Sequence, residues 1–228
     1  MEVEGKFVSI SNLICEPTRA RMLWNLLDGR AYTATELAVV ADISATSASN
    51  HLSKLLEAEL LKVESQGRHR YYSFARAEVA YAVESLANLA NGGAAKKIER
   101  KDYDSGIEYC RTCYDHLAGF VGVKLAEAME QKAFLRKTET AYTVTRKGWQ
   151  WFAKLKISQN DFTANRRPLT RQCLDWSERQ PHLAGGLGAT LLEKSLQRKW
   201  FEKVQFSREL TVTSKGRTEL FDELNISI

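Results

Sequence analysis

Residues 42 to 74 constrain the fold of this chain most strongly, because a helix pattern there runs directly into a hairpin pattern. Ser44 is a favourable helix N-cap, and neither glycine nor proline follows it until Gly67. Apolar residues recur at helical spacing and predict a buried stripe made of Ala48, Leu52, Leu55 and Leu56. The segment from Ser44 to Glu57 is therefore predicted to be an amphipathic helix.

Another face of this predicted helix is polar. Its positions i, i+3, i+4 and i+7 are occupied by Ser47, Asn50, His51 and Lys54. Hydroxyl, amide, imidazole and ammonium groups can all form hydrogen bonds with base edges or phosphates. One face of the helix can therefore pack while the other contacts a nucleic acid.

A shorter helix pattern precedes it, in the segment from Thr33 to Val40. Thr35 is the candidate cap, and the packing positions are Leu37, Ala38 and Ala41. Two short helices of which the second exposes a polar face form a helix-turn-helix.

The segment after Leu61 alternates apolar and polar residues, which is typical of a β-hairpin. Gln66 and Gly67 supply the turn, and the tip carries Arg68, His69 and Arg70. A basic hairpin beside such a helix is the wing of a winged helix-turn-helix.

A simpler interpretation is an ordinary globular core in which the polar helix face is only solvated. Against it, a cap, an apolar stripe, a polar face and a basic hairpin agree within one window, which is rare by chance. We therefore predict that this segment binds DNA. Ser44 and His69 are included among the predicted DNA-binding residues. Contacts to base edges are assigned to Ser47, Asn50 and His51, and contacts to phosphates mainly to Thr46, Ser49, Lys54, Arg68 and Arg70.

Several segments resemble the ArsR/SmtB family of bacterial winged-helix repressors, and together they cover about the first ninety residues. They are Pro17–Arg19 with Met22 and Leu23, Thr35–Ala38, Ile43–Leu61 and Gly67–Tyr72. The resemblance implies a homodimer on a two-fold symmetric operator in double-stranded DNA, with the Ser44–Glu57 helix in the major groove. It also implies a dimer interface made by a first helix around Ser9–Leu27 and a last helix around Ala77–Ala90.

The metal sites known in this family have no counterpart here. Metal-sensing members carry two cysteines in the helix before the recognition helix, whereas Glu36–Asp42 contains none. Zinc-sensing members use Asp, His and Glu on the last dimer helix, whereas Ala77–Ala90 offers Glu78 and Glu84 and no histidine. We therefore expect no cofactor.

The net charge of +5 is compatible with a nucleic-acid partner, but its distribution is uneven. Residues 1 to 91 hold nine Lys and Arg against eleven Asp and Glu, and the remainder holds twenty-four against seventeen. The DNA-binding element must therefore depend on the local placement of Lys54, Lys62, Arg68 and Arg70.

The remaining composition favours a cytoplasmic regulator without a membrane partner. No apolar run is long enough to span a bilayer, and the N-terminal sequence lacks the features of a signal peptide. Four cysteines are too few for a disulfide scaffold, so reduced thiols are expected. Sequence fingerprints of hydrolases, metalloproteases and nucleotide-binding enzymes are absent, so we do not expect an enzyme.

Gly92 and Gly93 predict a domain boundary, with a winged helix-turn-helix domain in residues 1–93 and a second domain in residues 94–228. The second domain contains an internal repeat, predicted at about 103–158 and 169–228. His116–Gly119 recurs as His182–Gly185, and Thr143–Gly148 recurs with one change as Thr211–Gly216.

Each copy is predicted to contain a helix around HLAG, a second helix (Leu125–Phe134 or Leu191–Phe201), a strand, and a helix capped by Thr145 or Thr213. The copies would be degenerate winged-helix units. The predicted fold class is therefore mainly α with small β-hairpins.

Cys110, Cys113 and His116 stand three residues apart and would share one helical face, which would offer three metal ligands. The alternatives are a thiol redox sensor and a structural role, since Cys113 and His116 have counterparts in Cys173 and His182.

Four of the five tryptophans lie in the second domain, at positions 149, 151, 176 and 200. They are compatible with a pocket for a small-molecule effector and equally with core packing. The sequence thus predicts a homodimeric repressor that an effector releases from DNA. The competing prediction is a protein-interaction scaffold without DNA binding.

Overall fold

The computed structural model describes residues 2–90, 104–163 and 167–228. The chain divides into two compact units, Met1–Ala90 and Asn91–Ile228, called here the N-terminal unit and the C-terminal unit. The boundary predicted near residue 93 lies outside the described residues. Within the described ranges, no helix combines the length and apolar character needed to cross a membrane.

The N-terminal unit combines helices with a three-stranded antiparallel sheet of order β1-β3-β2. Its elements are α1 (Glu2–Cys15), α2 (Pro17–Leu26), β1 (Tyr32–Thr33), α3 (Ala34–Ala41), α4 (Ala45–Glu57), β2 (Leu61–Gln66), β3 (His69–Phe74) and α5 (Ala77–Ala90). Helix α3 packs against α2 and α4, and β2 and β3 pair along their whole length.

Helix α3 is capped by Thr33, so the predicted cap at Thr35 is wrong. The Thr33 side chain accepts a hydrogen bond from the Glu36 backbone N–H, and the Glu36 carboxylate accepts one from the Thr33 N–H. This reciprocal capping box satisfies two N–H groups that the first helical turn would leave unpaired. Asp42 ends the helix in the left-handed conformation, with φ of 56°.

The single first helix expected around Ser9–Leu27 is also wrong, because Glu16 separates α1 from α2. Pro17 follows it at the start of α2, and a residue before proline is disfavoured in helical conformation. Glu16 is accordingly extended, with φ of −69° and ψ of 130°, and its carboxylate caps α2. The predicted last helix corresponds to α5.

The C-terminal unit places β-hairpins before helices, in the order strand, strand, helix, strand, strand, helix. This order occurs in β4 (Arg111–Cys113), β5 (His116–Ala118), α6 (Gly119–Gln131), β6 (Leu135–Lys137), β7 (Tyr142–Val144) and α7 (Arg146–Lys154). It occurs again in β8 (Arg171–Leu174), β9 (Pro181–Ala184), α8 (Gly185–Gln197), β10 (Phe201–Lys203), β11 (Leu210–Val212) and α9 (Ser214–Leu224).

The helices predicted around both HLAG motifs are therefore wrong. Residues 116–118 and 181–184 are strands, paired with β4 and β8 respectively. The chain leaves each strand at a glycine with positive φ, 78° at Gly119 and 87° at Gly185, and the helix begins there. Other residues rarely adopt this conformation, which explains the glycine at the end of the motif.

The predicted caps Thr145 and Thr213 are confirmed, since each side chain accepts a hydrogen bond from a glycine N–H at 2.9 Å. The glycines, Gly148 and Gly216, are also closely packed. A Cβ on Gly148 would lie 2.2 Å from the carbonyl oxygen of Phe134, and one on Gly216 would lie 2.2 Å from that of Trp200. The recurring T-x-K-G sequence thus combines a helix cap with a close backbone contact.

The aromatic residues of the C-terminal unit mainly fill its core. The fully or almost fully buried members include Trp151, Phe152, Trp200 and Phe201, which belong to one cluster of buried residues. Together with the small antiparallel hairpins, this helix-rich architecture confirms the predicted α+β class.

Candidate nucleic-acid interface

Helix α4 is anchored by its cap and by its apolar stripe. The Ser44 hydroxyl accepts a hydrogen bond from the Ser47 backbone N–H at 3.2 Å, as an N-cap does. Ala48, Leu52 and Leu55 are fully buried, and Leu56 is half-buried. The helix is thus held against the unit along one side.

The opposite side of α4 faces outward. Its exposed polar residues include Thr46, Ser49, Asn50 and Lys54, while Ser47 is half-buried. The Ser49 hydroxyl donates to the Ala45 carbonyl at 3.0 Å, so its proton is used within the helix and its oxygen can still accept. Asn50 presents a donor and an acceptor together, which is the arrangement that pairs with adenine in a major groove.

His51 differs from its neighbours, because its ring is turned toward the start of α2. Its Nδ1 lies 3.4 Å from a Glu16 carboxylate oxygen and 3.4 Å from Nη1 of Arg19. The side chain is 21% exposed. The sequence assigned it to base edges, but this geometry fits a residue that sets the position of α4 on the unit.

Arg19 and Glu16 form the corner that His51 contacts, and they were not predicted as part of the site. Arg19 donates from Nε to the Leu13 carbonyl at 2.6 Å and from Nη2 to the Asn12 carbonyl at 3.0 Å, so it satisfies the end of α1. Burial raises the pKa of Glu16, but hydrogen bonds from the backbone N–H groups of Arg19 and Thr18 outweigh it and leave the pKa below its ordinary value. A Glu directly before Pro-Thr-Arg was the available signal, because acidic residues cap helices that start with proline.

The wing is the β2–β3 hairpin, with Gln66 opposite His69 and two residues between them. Gly67 has φ of 59°, which a glycine adopts readily. Arg68, His69 and Arg70 are all exposed, and Arg68 Nε lies 3.4 Å from His69 Nε2. The hairpin therefore carries three basic side chains at its exposed end.

Lys62 contributes less charge to this surface than the sequence suggests. Its Nζ lies 2.7 Å from the carboxylate of Glu64, and hydrogen bonding to Lys62 lowers the pKa of Glu64. The exposed pair is locally neutral. The positive charge of the interface rests mainly on Lys54, Arg68 and Arg70.

Helices α1 and α5 expose apolar side chains that a solvated helix seldom carries. Val3 and Phe7 on α1 are 81% and 70% exposed, and Leu89 on α5 is 74% exposed. Val8, Ile10 and Leu86 are also exposed. Large exposed apolar side chains in this number are typical of helices that take part in an interface.

The arrangement predicted for Cys110, Cys113 and His116 on one helical face is wrong. Cys113 ends β4 and His116 begins β5, so they pair across a hairpin, and Cys110 lies before β4. Cys113 and His116 come together with Cys173 and His182, and Cys110 is not part of this group. The three-residue spacing of Cys113 and His116 arises from a tight hairpin and not from a helical turn.

Comparisons with known proteins agree with the winged helix-turn-helix. A family model described as a helix-turn-helix domain matches residues 15–64. The HTH-type transcriptional regulator YdfF of Bacillus subtilis is 40% identical over 219 residues, covering 96% of this chain and 97% of that protein. The transcriptional repressor SdpR of Bacillus subtilis is 32% identical over 85 residues, covering 37% of this chain and 93% of that protein.

One solved structure is that of an ArsR family transcriptional regulator, RHA00566, which is 29% identical to this chain. The TM-score is 0.31, with 38% of this chain and 86% of that chain covered.

Proposed function

We propose that this chain, which belongs to the HTH-type transcriptional regulators, is a winged helix-turn-helix protein of the ArsR type and acts as a homodimeric repressor of a two-fold symmetric operator. DNA binding follows from the family, whereas repression, the dimer and the roles of single residues are the proposal. An effector that favours a dimer unable to match the operator would release it.

The observation that carries the proposal is the exposed face of α4 beside the exposed tip of the wing. Asn50 can specify a base, while Lys54, Arg68 and Arg70 can neutralise phosphates. Thr46 and Ser47 lie toward the N-terminal end of the same helix, the end that enters the major groove in helix-turn-helix proteins. His51 holds α4 in place through Glu16 and Arg19.

The exposed apolar side chains of α1 and α5 support the dimer. A second copy of this chain is the occupant that fits, because a two-fold operator needs two α4 helices about one duplex turn apart. The same patch meets itself across a two-fold axis, so residues on α1 and α5 of both copies would be buried.

DNA titration at several salt concentrations tests the function. We expect the full-length protein to prefer one fragment from the region upstream of its own gene, with affinity falling steeply as salt is added. Asn50→Ala should weaken binding to the preferred fragment about 5- to 150-fold and leave binding to unrelated duplexes unchanged. Arg68→Ala should weaken binding to all duplexes and reduce the salt slope by about one.

Arg136→Ala, which removes an exposed charge from β6, is the matched control for Arg68→Ala and should leave the slope nearly unchanged. Weak binding that depends neither on salt nor on sequence would contradict the proposal and favour a protein-interaction scaffold. Equal effects of Asn50→Ala and Arg68→Ala on all duplexes would contradict the assignment of roles.

Sedimentation analysis of a Phe7→Glu, Leu89→Glu double variant tests the dimer. Charges at two apolar positions should convert a dimer to a monomer and abolish the preference for the operator. Phe221→Glu, at an apolar side chain of α9 that is 52% exposed, is the control and should sediment as the unchanged protein does. If the protein without substitutions sediments as a monomer, the proposed dimer is contradicted. That result would leave the proposed DNA binding by α4 untouched.

A further inference from the structure

Two hairpins of the C-terminal unit bring four metal-binding side chains together. Cys113 and His116 are directly opposite each other in β4–β5, and Cys173 and His182 are opposite each other in β8–β9. Strands β5 and β9 pack against each other, so the two pairs meet. One potential ligand atom from each residue lies within 4.8 Å of the other three, and all four residues are buried.

The spacing of the two sulfur atoms matches a shared metal ion. Cys113 Sγ lies 3.8 Å from Cys173 Sγ, and neither residue is in a disulfide bond. Two thiolates bound to one Zn²⁺ at about 2.3 Å in a tetrahedron lie about 3.8 Å apart. Ala118 and Ala184 pack with the two cysteines in one small buried cluster.

The two imidazoles bring nitrogen atoms without hydrogen-bond partners into the same space. Among the described residues, His116 Nε2 and both ring nitrogens of His182 are buried and have no oxygen or nitrogen hydrogen-bond partner, and both imidazoles face the sulfur of Cys173. The rings stack with centroids 5.0 Å apart. Buried polar atoms are rarely left unsatisfied, so these nitrogens indicate a missing ligand.

Each histidine is backed by a carboxylate that follows a cluster cysteine by two residues. His116 Nδ1 lies 3.2 Å from Asp115, which leaves Nε2 toward the cluster. His182 Nδ1 lies 3.6 Å from Asp175, which is within ion-pair distance but beyond that of a hydrogen bond. Carboxylates in this position orient metal-binding histidines and fix the nitrogen that binds.

Arginines hold both carboxylates from the other half of the unit. Arg111 donates to Asp175 at 2.8 Å, and Arg167 donates to Asp115 at 2.5 Å. Paired strands thus hold the four candidate ligands, and the two ion pairs hold the carboxylates beside the histidines. This rigidity is what a preformed metal site requires.

We propose that Cys113, His116, Cys173 and His182 bind one Zn²⁺ ion in a closed tetrahedral site. Two thiolates balance the charge of the ion, and four protein ligands leave no position for a substrate, as in structural zinc sites. A disulfide between the cysteines would account for the two sulfur atoms but not for the two histidines and their carboxylates. All four ligands lie in the C-terminal unit.

Metal content of the full-length protein, purified without chelators, provides the first test. We expect one zinc per chain by elemental analysis, and none after Cys113→Ser or His182→Ala. Cys110→Ser is the matched control, because Cys110 is equally buried but outside the cluster. That variant should keep its zinc, and a loss equal to that in Cys113→Ser would overturn the ligand assignment.

Reconstitution of the unchanged protein keeps the test valid if a variant fails to fold. Chelation under reducing conditions should lower Tm, and added Zn²⁺ should restore it, because metal binding is coupled to folding. Co²⁺ in place of Zn²⁺ should give the visible and near-ultraviolet absorption bands of tetrahedral thiolate coordination. Reduced apoprotein that binds neither ion, or two free thiols instead of four in denatured, metal-free protein, would overturn the proposal, and the second result would show a Cys113–Cys173 disulfide.

Discussion

His51 in the N-terminal unit lies at the edge of an exposed helix face, whereas His116 and His182 in the C-terminal unit are completely enclosed. The first has carboxylate and guanidinium neighbours at 3.4 Å and access to solvent. The other two share a buried space with two thiols. Histidine is therefore a partly exposed residue of the helix surface in the N-terminal unit and a buried residue of the interior in the C-terminal unit.

The contrast extends to charge. Arg68 and Arg70 are exposed and available to a partner, while Arg111 is fully buried and committed to Asp175, Ser177 and the Ile107 carbonyl. We expect the removal of an exposed arginine to weaken the proposed DNA binding and to affect folding little, because its side chain faces outward. Removing a buried arginine lowers the free energy of unfolding, because the carboxylate of its partner is left buried without a counterion.

Arg111→Ala should have the largest effect on stability. It leaves the Asp175 carboxylate buried without its guanidinium, which typically costs about 3–5 kcal/mol in the free energy of unfolding. Denaturant unfolding followed by tryptophan fluorescence measures this, since four of the five tryptophans lie in the C-terminal unit. A cost close to that of the exposed control Arg136→Ala, within about 0.5 kcal/mol, would break the contrast between the two arginine classes.

Gly148→Ala should have the next largest effect. A Cβ placed 2.2 Å from the Phe134 carbonyl oxygen forces the backbone apart, and overpacking of this kind costs about 1–3 kcal/mol. Gly5→Ala is the matched glycine in the N-terminal unit, where a Cβ on α1 would meet nothing within 4 Å. It should stabilise its helix by about 0.5–1 kcal/mol, and thermal unfolding of both variants should show shifts of opposite sign.

Glu16→Ala should cost about 1 kcal/mol, because it removes the cap of α2. The folded-state pKa of Glu16 is lowered, so its contribution is present above the unfolded value of about 4.3 and is lost as pH falls through the folded value. Unfolding measured from pH 7 downward should show the difference between Glu16→Ala and the unchanged protein shrinking below about pH 4. A difference that grows in acid would contradict this sign.

His51→Ala should have the smallest effect, about 0.5 kcal/mol in DNA binding, because only a partly exposed hydrogen bond is lost. Since the ring faces Glu16 and Arg19, the loss should be equal on preferred and unrelated duplexes. Competition titrations with both kinds of duplex measure it. A selective loss on the preferred duplex, like that expected for Asn50→Ala, would return His51 to the set of base-reading residues.

Local sequence patterns predicted helix α4 of the N-terminal unit well, because the helical spacing of its apolar residues and its N-cap residue indicate the same helix. Ser44 caps α4, and the apolar residues Ala48, Leu52 and Leu55 are buried as predicted. The side-chain contacts between distant residues were not predictable. Nothing in the helical period of α4 indicates that His51 meets a corner thirty-two positions away at Arg19.

The C-terminal unit shows where the patterns fail. Residues three apart, such as Cys113 and His116, share a face in a helix and also lie opposite each other in a tight hairpin. Their spacing alone therefore does not distinguish a helix from a hairpin. The recurrence of Cys and His in Cys173 and His182 was the more informative signal. Such recurrence is compatible with structural elements, but two recurring pairs can also meet at one site. The duplication of this unit remains a prediction.

The crossed pairs of Arg111 with Asp175 and of Arg167 with Asp115 have a consequence for dissection of the molecule. A fragment that ends before residue 167 would keep Arg111 and Asp115. It would lack their ion-pair partners, Asp175 and Arg167. Arg111 and Asp115 would each regain a counterion when the remainder of the chain binds. The two halves should therefore fold as a complementing pair, and co-expressed fragments should rescue one another where either alone aggregates.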